Sequence, residues 1–260
     1  MELGGLATAH FVGFLLVLFR LSGTFAILPL LGGSLVPWRV RVFIAVALSF
    51  AIYPVVNSGG VVMPMDLSRL VLGLAGELLV GMVCGFVVNL VFVAAQMAGT
   101  FLSNLMGLEI AEVMNPLFQT ELPIFGGFYC VFAVVVFFAV NGHHILLAGL
   151  VKTFERVPLM GIHLHPGSIA ALTALMGDMF VLMIRLAAPT FVAIFLVEVV
   201  LGIVARTVPQ VNVLVAGFPL KICVGLLVTA AALAAAASLL TDSFSWIMGR
   251  LALLLRFMTA

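Results

Sequence analysis

The chain has 260 residues, of which 65% are hydrophobic and 8% are charged, and its formal net charge at pH 7 is +1. An ordinary soluble domain carries about 25% charged residues, so this composition excludes a protein whose whole surface faces water. The near-neutral charge gives no reason to expect a nucleic-acid partner.

Apolar runs that are long enough to cross a membrane make up most of the chain. A helix needs about 20 apolar residues to cross a hydrocarbon layer of roughly 30 Å. Such runs lie at 7–31, 70–98, 123–151, 168–200 and 212–240, and shorter ones lie at 42–56 and 244–258. A lipid-facing backbone must satisfy its own hydrogen bonds, and the alternating polarity of a barrel strand is missing. We therefore predict one all-α, membrane-associated domain over residues 1–260.

The basic residues give a weak topology signal. The first run contains Arg20 and no basic residue precedes it, so we expect a retained helix rather than a cleaved signal peptide. If each run crossed the membrane once, Lys and Arg would accumulate in alternate connections. The connections instead hold comparable numbers of them. Either the segment bounds are wrong, or the chain is not a simple serpentine and much of its apolar surface faces other subunits.

One apolar run carries a ridge of small and polar residues. In GELLVGMVCGFVVNLVFVAAQ, the residues Glu77, Gly81, Gly85 and Asn89 recur every four positions and share one helix face. Gly81 and Gly85 form a GxxxG pair, which permits close contact between helices. The sequence leaves open whether this contact lies inside the chain or with a neighbouring protein.

Four further charges interrupt the last long runs. Asp178 and Arg185 are seven residues apart on one helix face, so we expect local charge compensation between them. Glu198 and Lys221 have no partner close in sequence and require partners elsewhere. An ionisable group in hydrocarbon is costly unless it is paired or faces an aqueous cavity.

The stretch ARTVPQVNVLVAGFPLK, residues 205–221, contains the strongest helix breakers. Proline removes a backbone donor and disfavours helix at the residue before it. We therefore predict that the region 168–240 turns back here as a helical hairpin with a polar tip. The residues assigned to this tip and its subunit contacts are Arg206, Pro209, Gln210, Asn212, Pro219 and Lys221.

The sequence contains no recognisable catalytic motif. A GxxxxGK[ST] phosphate-binding loop and a GxSxG serine are both missing. His143 and His144 are adjacent and point in different directions on a helix, while His163 and His165 lack a nearby carboxylate or cysteine cluster. We expect no metal, no cofactor and no enzymatic activity.

Four stretches carry a resemblance to a known family. They are LPLLGGSLVPWRVRVFIAVALS, GELLVGMVCGFVVNLVFVAAQMAGTFLSNLMGLEIAEVMNP, VNGHH at 140–144 and LGIVARTVPQVNVLVAGFPLKICVGL. In this order, and with the core pattern R-x-x-P-Q-x-N…G-F-P-x-K, the chain resembles the FliR/SctT family of type III secretion export-gate subunits. The resemblance covers nearly the whole chain.

The resemblance implies an assembly and a location. A family member is one subunit of the FliP-FliQ-FliR export gate in the bacterial inner membrane, at the flagellar basal body. It is similar to FliP-like and FliQ-like parts joined in one chain of helical hairpins around a pore. The implied partners are FliP and FliQ, FlhB-like and FlhA-like export components, and unfolded export substrates. The resemblance applies equally to the flagellar and the virulence members of the family.

The resemblance also implies a plug that closes the pore. It covers the segment from Met106 to Leu122, where Gly107 permits a turn and Asn115-Pro116 stops a helix. The residues assigned to the plug are Met106, Gly107, Leu108, Ile110, Val113, Met114, Asn115 and Pro116. Its apolar members can fill a narrow constriction. Without the resemblance, an acidic surface loop explains this segment, and Glu109, Glu112 and Glu121 have no assigned role.

Two other classes compete with the gate. A small-solute or proton-coupled transporter would use Glu77, Asp178, Arg185 and Glu198 as intramembrane sites. The lack of a detectable internal repeat weighs against it. An intramembrane enzyme lacks a nucleophile or a metal cluster.

Overall fold

The computed structural model describes residues 2–29, 36–56, 66–108, 123–161, 166–208 and 213–256. Its helices are α1 (Glu2–Ile27), α2 (Trp38–Val56), α3 (Leu67–Met106), α4 (Ile124–Ala139), α5 (Gly142–Arg156), α6 (Pro166–Thr207) and α7 (Val213–Arg256). These ranges contain no β-strand. The prediction of an all-α fold is confirmed.

Several helices are long and apolar enough to cross a membrane. In the described ranges they are Thr8–Ile27, Trp38–Val56, Leu67–Met106, Gly167–Thr207 and Gly217–Leu251, and α4 with α5 adds a sixth if the pair counts as one broken span. Their mean hydropathy lies between 1.7 and 2.5. The prediction of a membrane protein with several helical spans is confirmed.

The predicted run 123–151 is wrong as one continuous helix. It divides at Asn141, which has a φ of 55° and precedes α5. Asparagine is one of the few residues that adopt this left-handed conformation readily, so the backbone can change direction here between α4 and α5.

The described parts of the runs 212–240 and 244–258 belong to one helix, α7 (Val213–Arg256), and not to two. The polar residues between them do not interrupt it. Thr241 Oγ1 donates to the carbonyl of Ala237 at 2.9 Å, and Ser243 Oγ donates to that of Leu239 at 2.7 Å. Such bonds to the preceding turn satisfy a hydroxyl group within an apolar helix.

The chain forms two compact units, each built from separate stretches. Unit 1 consists of Met1–Leu90, Asn141–Leu175 and Phe244–Ala260, and unit 2 consists of Val91–Val140 and Met176–Ser243. The earlier assignment of one export-gate domain over 1–260 stays a prediction.

In unit 1, α1 packs against α2, and α2 also contacts α5. The α1 side chains Leu16, Val17 and Leu21 are completely buried. His10 Nδ1 and Tyr53 Oη lie 2.8 Å apart and join α1 to α2. The first helix is therefore a central element of this unit.

In unit 2, α3, α4, α6 and α7 meet through aromatic, glycine and threonine contacts. The rings of Phe92 and Phe137 join α3 to α4 at a centroid distance of 5.4 Å. Gly99 of α3 lies against the backbone of Phe125. The hydroxyl oxygens of Thr190 and Thr229 lie 3.0 Å apart and join α6 to α7. Small residues and interhelical hydroxyl bonds are typical of helix packing in membranes.

The helices differ strongly in how much of their surface the chain itself covers. In the most apolar window of α3, 61% of the residues are buried, whereas the value is 17% in α6 and 17% in α7. Large apolar side chains such as Phe180, Ile184 and Leu227 are exposed on these last two helices. This surface requires lipid or protein around it.

Candidate functional site

The glycine ridge of α3 packs against α1 of the same chain. A Cβ atom on Gly81 would collide with the carbonyl oxygen of Arg20, and one on Gly85 would lie 2.5 Å from that of Thr24. Thr24 Oγ1 donates to the carbonyl oxygen of Gly81 at 3.0 Å. Asn89, the last member of the predicted ridge, is half-buried. This close approach brings the polar ends of two other side chains together.

Those side chains are Arg20 of α1 and Glu77 of α3, which form a buried ion pair. Arg20 Nε lies 2.5 Å from Glu77 Oε2, and the side chains are 0% and 3% exposed. Arg20 Nη1 donates to Thr153 Oγ1 at 3.2 Å, and Nη2 donates to the carbonyl of Val157 at 3.0 Å. The guanidinium carbon lies 4.2 Å from the centre of the Phe154 ring. A buried charge is tolerated when it is paired and hydrogen-bonded in this way.

Glu77 uses its second oxygen to hold the turn after α5. Its Oε1 accepts a hydrogen bond from the backbone N–H of Met160 at 2.9 Å. Met160 has a φ of 64°, which is unusual for a residue other than glycine. The network therefore joins α1, α3 and the end of α5, and it fixes the strained turn at the same time.

Sequence reasoning named Glu77 but used Arg20 only to argue against a signal peptide. A signal for the pair was present. Arg20 and Glu77 are single, opposite charges in the first two long apolar runs, and buried opposite charges require each other. The packing of Gly81 against Arg20 in the structure shows why the two helices can meet at that level.

The contact at Gly81 gives a direct test of this packing. We expect Gly81→Ala to destabilise the chain by about 1–3 kcal/mol, because the new methyl group must displace the backbone of α1. Gly149→Ala on α5 is the matched control, since a Cβ there meets no atom within 4 Å. Thermal unfolding in detergent measures both, and equal stability of the two variants would contradict the close approach.

The other candidate site lies in unit 2, where α3 ends at the first residue of the predicted plug. Met106 is completely buried. A Cβ on Gly225 of α7 would lie 2.9 Å from Met106 Sδ, so the glycine leaves the space that this side chain occupies. Gly107 follows with a φ of 78° and lies against the ring of Phe218. The two glycines, Gly107 and Gly225, thus allow the end of α3 to pack closely against α7.

Of the other predicted plug residues, only Leu108 lies within the described ranges. Leu108 is half-buried. The residues outside the described ranges are Ile110, Val113, Met114, Asn115 and Pro116, together with Glu109, Glu112 and Glu121.

The hairpin between α6 and α7 has a shorter tip than the sequence suggested. Helix α6 ends at Thr207 and α7 begins at Val213, and Arg206 is exposed in the last turn of α6. Pro219 and Lys221 lie inside α7 and not at the tip. A proline within a membrane helix is tolerated when neighbouring groups satisfy the backbone carbonyl that it frees. Residues 209, 210 and 212, predicted as Pro209, Gln210 and Asn212 of the tip, lie outside the described ranges.

Lys221 and Glu198 are partners of each other. Lys221 Nζ lies 2.5 Å from Glu198 Oε1, with side chains that are 19% and 44% exposed. The pair links α7 to α6. It confirms the prediction that each of these two charges has a partner distant in sequence. Asp178 and Arg185 differ from expectation, because no ion pair among the described residues joins them, and both are exposed.

The described part of the chain holds no group of three or more His, Cys, Asp or Glu residues arranged for a metal ion. His143 and His144 lie with ring centres 4.3 Å apart. His163 and His165 lie outside the described ranges.

The chain is a polytopic helical membrane protein. Its helices are long and apolar, a buried ion pair joins two of them, and α6 is followed by a break before α7. Residues 11–247 match the protein family described as bacterial export proteins, family 1. The chain therefore belongs to this family, as an export-gate component of the FliR type and not an enzyme. The resemblance to the FliR/SctT family is confirmed.

Individual relatives agree with the family match. The chain is 34% identical over 220 residues to the flagellar biosynthetic protein FliR of Bacillus subtilis, covering 82% of this chain and 83% of that protein. It is 31% identical over 236 residues to FliR of Escherichia coli, covering 90% and 89%. It is also 28% identical over 198 residues to the secretion system apparatus protein SsaT of Salmonella typhimurium, covering 75% and 76%.

Proposed function

We propose that the chain is the FliR subunit of a flagellar export gate in the bacterial inner membrane, at the basal body. It forms part of the pore through which unfolded flagellar proteins leave the cell, and residues 106–122 close that pore as a plug. FliP and FliQ are its partners in a hetero-oligomeric helical complex, and FlhB-like and FlhA-like components act with it. The chain itself combines FliP-like and FliQ-like parts.

The apolar surface of α6 and α7 is the observation that carries this proposal. Both helices are long enough to cross a membrane, yet only 17% of each apolar window is buried by the chain itself. A gate subunit has such faces because the neighbouring subunits cover them. The weak positive-inside signal agrees, since helices that face other subunits need not follow a simple serpentine path.

The contacts at the end of α3 support the plug. Met106 and Gly107 are held against Gly225 and Phe218, so the segment that follows starts from a fixed point on α7. A segment that closes a pore needs an anchored end, because an unanchored loop would pay the entropy of ordering each time the pore closes.

The transporter alternative loses one of its proposed sites. Both carboxylate oxygens of Glu77 are bonded, one to Arg20 and the other to the backbone N–H of Met160. A proton or substrate site requires a carboxylate that is accessible for exchange, and Glu77 is 3% exposed.

Purification of the tagged chain with co-expressed FliP and FliQ from the same genome tests the assembly. We expect a stable hetero-oligomer, and we expect cells that lack the chain to lose flagellar export and regain it on complementation. The control is FliP and FliQ expressed without the chain. A chain that purifies alone, with export unaffected by its removal, would contradict the proposal.

A further inference from the structure

One face of α6 carries two charges within an otherwise apolar stripe. Asp178, Val181, Arg185, Val192, Leu196 and Val199 are all exposed and recur at spacings of three, four or seven residues. Residues at these spacings share one helix face. We name this set the α6 stripe.

The side of α6 opposite the stripe is the one that the chain covers. Leu186 is 2% exposed, Ile194 is 0% exposed, and Thr190 bonds to Thr229 of α7. Glu198 points away from the stripe as well, because it reaches Lys221 of α7. The α6 stripe is therefore an outer face of unit 2. The contacts between α6 and α7 are made by the opposite side of α6, so α7 does not cover the stripe.

The charges of the α6 stripe decide what can cover it. Among the described residues neither Asp178 nor Arg185 takes part in an ion pair. Exposed isolated charges on a membrane-spanning helix are disfavoured in lipid, and intramembrane charges face protein or water instead. The purely apolar part of the stripe is equally disfavoured in water. A protein helix with matching charges satisfies both parts.

We propose that the α6 stripe binds a membrane-spanning helix of another gate subunit, with a basic residue opposite Asp178 and an acidic residue opposite Arg185. At 1.5 Å per residue, the seven-residue separation places the two partner charges about 10 Å apart along the helix, or two turns. Gly177, next to Asp178, has no atom within 4 Å of the position that a Cβ would take. It leaves room for close approach of the partner backbone. The inference rests on the proposed function, since it requires an assembly.

A charge swap separates this inference from compensation inside the helix. The variants are Asp178→Leu, Arg185→Leu and the double swap Asp178→Arg with Arg185→Asp, each co-expressed with FliP and FliQ. Truncating one member of a buried charge pair weakens binding by roughly 30-fold or more, and we expect that loss in the amount of co-purified partner for both single variants. The swap keeps both charges on α6 but reverses them toward the partner, so we expect it to fail as well.

Two controls keep the result specific. Lys152→Leu and Glu155→Leu remove exposed charges from α5, and we expect normal co-purification. The amount of each variant in membranes without FliP and FliQ measures folding of the chain alone, and we expect it to equal that of the intact chain because both stripe charges are exposed. Reversal of the facing charge on the partner should restore binding of the swap variant.

Each other result overturns the inference. Normal co-purification of both leucine variants would mean that lipid covers the stripe. Recovery by the swap alone would mean that Asp178 and Arg185 compensate each other. A photocrosslinker at Val192, which belongs to the stripe and is 53% exposed, would give a dimer of this chain if a second copy covered the stripe. If the intact chain itself fails to bind FliP and FliQ, the proposed function is wrong. If the intact chain binds them and both leucine variants bind equally well, only the inference about the α6 stripe is wrong.

Discussion

Replacement of Arg20 by methionine is expected to destabilise the folded chain by about 3–5 kcal/mol, because the carboxylate of Glu77 is left buried without its counter-ion. Methionine preserves much of the apolar volume of the arginine stem, so the loss reports mainly the charge and its hydrogen bonds. Glu77→Leu should have an effect of similar size. Thermal unfolding in detergent, followed by the remaining protease-resistant protein, gives the measurement.

The double variant Arg20→Met with Glu77→Leu distinguishes the ion pair from simple packing. Removal of both charges leaves no unpaired ion, so we expect the double variant to be more stable than either single variant. Arg69→Met is the matched control. Arg69 lies 3.9 Å from Asp66 with both side chains largely exposed, and such a surface pair contributes at most about 1 kcal/mol. Additive losses in the double variant would contradict the pairing argument.

Deletion of residues 109–115 is expected to make the inner membrane leak ions while the gate still assembles. A pore wide enough for a polypeptide cannot collapse when its plug is removed, because the helices around it would lose their packing. The deletion leaves Met106 and Gly107 in place against α7. Ion leak is measured in cells that express the deletion variant together with FliP and FliQ, at protein levels matched to those of the intact chain.

A milder variant controls for damage caused by the deletion. Changing Ile110 and Val113 to glycine removes apolar volume without shortening the segment, so we expect a smaller leak. A transporter would lose transport without any leak, and a surface loop would show neither effect. A tight membrane in the presence of a correctly assembled deletion complex would refute the plug.

The sequence predicted the long helices well because length and apolar composition alone decide them. Runs such as 70–98 and 168–200 became the cores of α3 and α6. The division at Asn141 and the continuity of α7 across Thr241–Ser243 were missed. Both depend on single side chains: Asn141 tolerates a left-handed backbone, and hydroxyl groups bond to the preceding turn.

The ridge on α3 was predicted from spacing, but its partner helix was not. A GxxxG pattern indicates that another helix packs closely against this one, but it does not indicate which helix. The carbonyl of Arg20 at Gly81 answers that question for α1. The same limit applies to Asp178 and Arg185, where spacing predicted a local pair. Seven residues separate the two side chains by about two turns, which is longer than the three- or four-residue spacing of direct helix pairs.

The buried ion pair of Arg20 and Glu77 imposes an order on biosynthesis. Insertion of a helix with a central arginine into a bilayer costs about 2.5–3.5 kcal/mol by translocon scales. Its counter-ion is 57 residues further along the chain, and the ribosome adds about 5–20 residues per second, so Arg20 waits roughly 3–11 seconds for Glu77. During that interval the guanidinium group of Arg20 lacks the carboxylate that neutralises it in the folded chain. The close packing of α1 on α3 is therefore completed only after α3 has been synthesised.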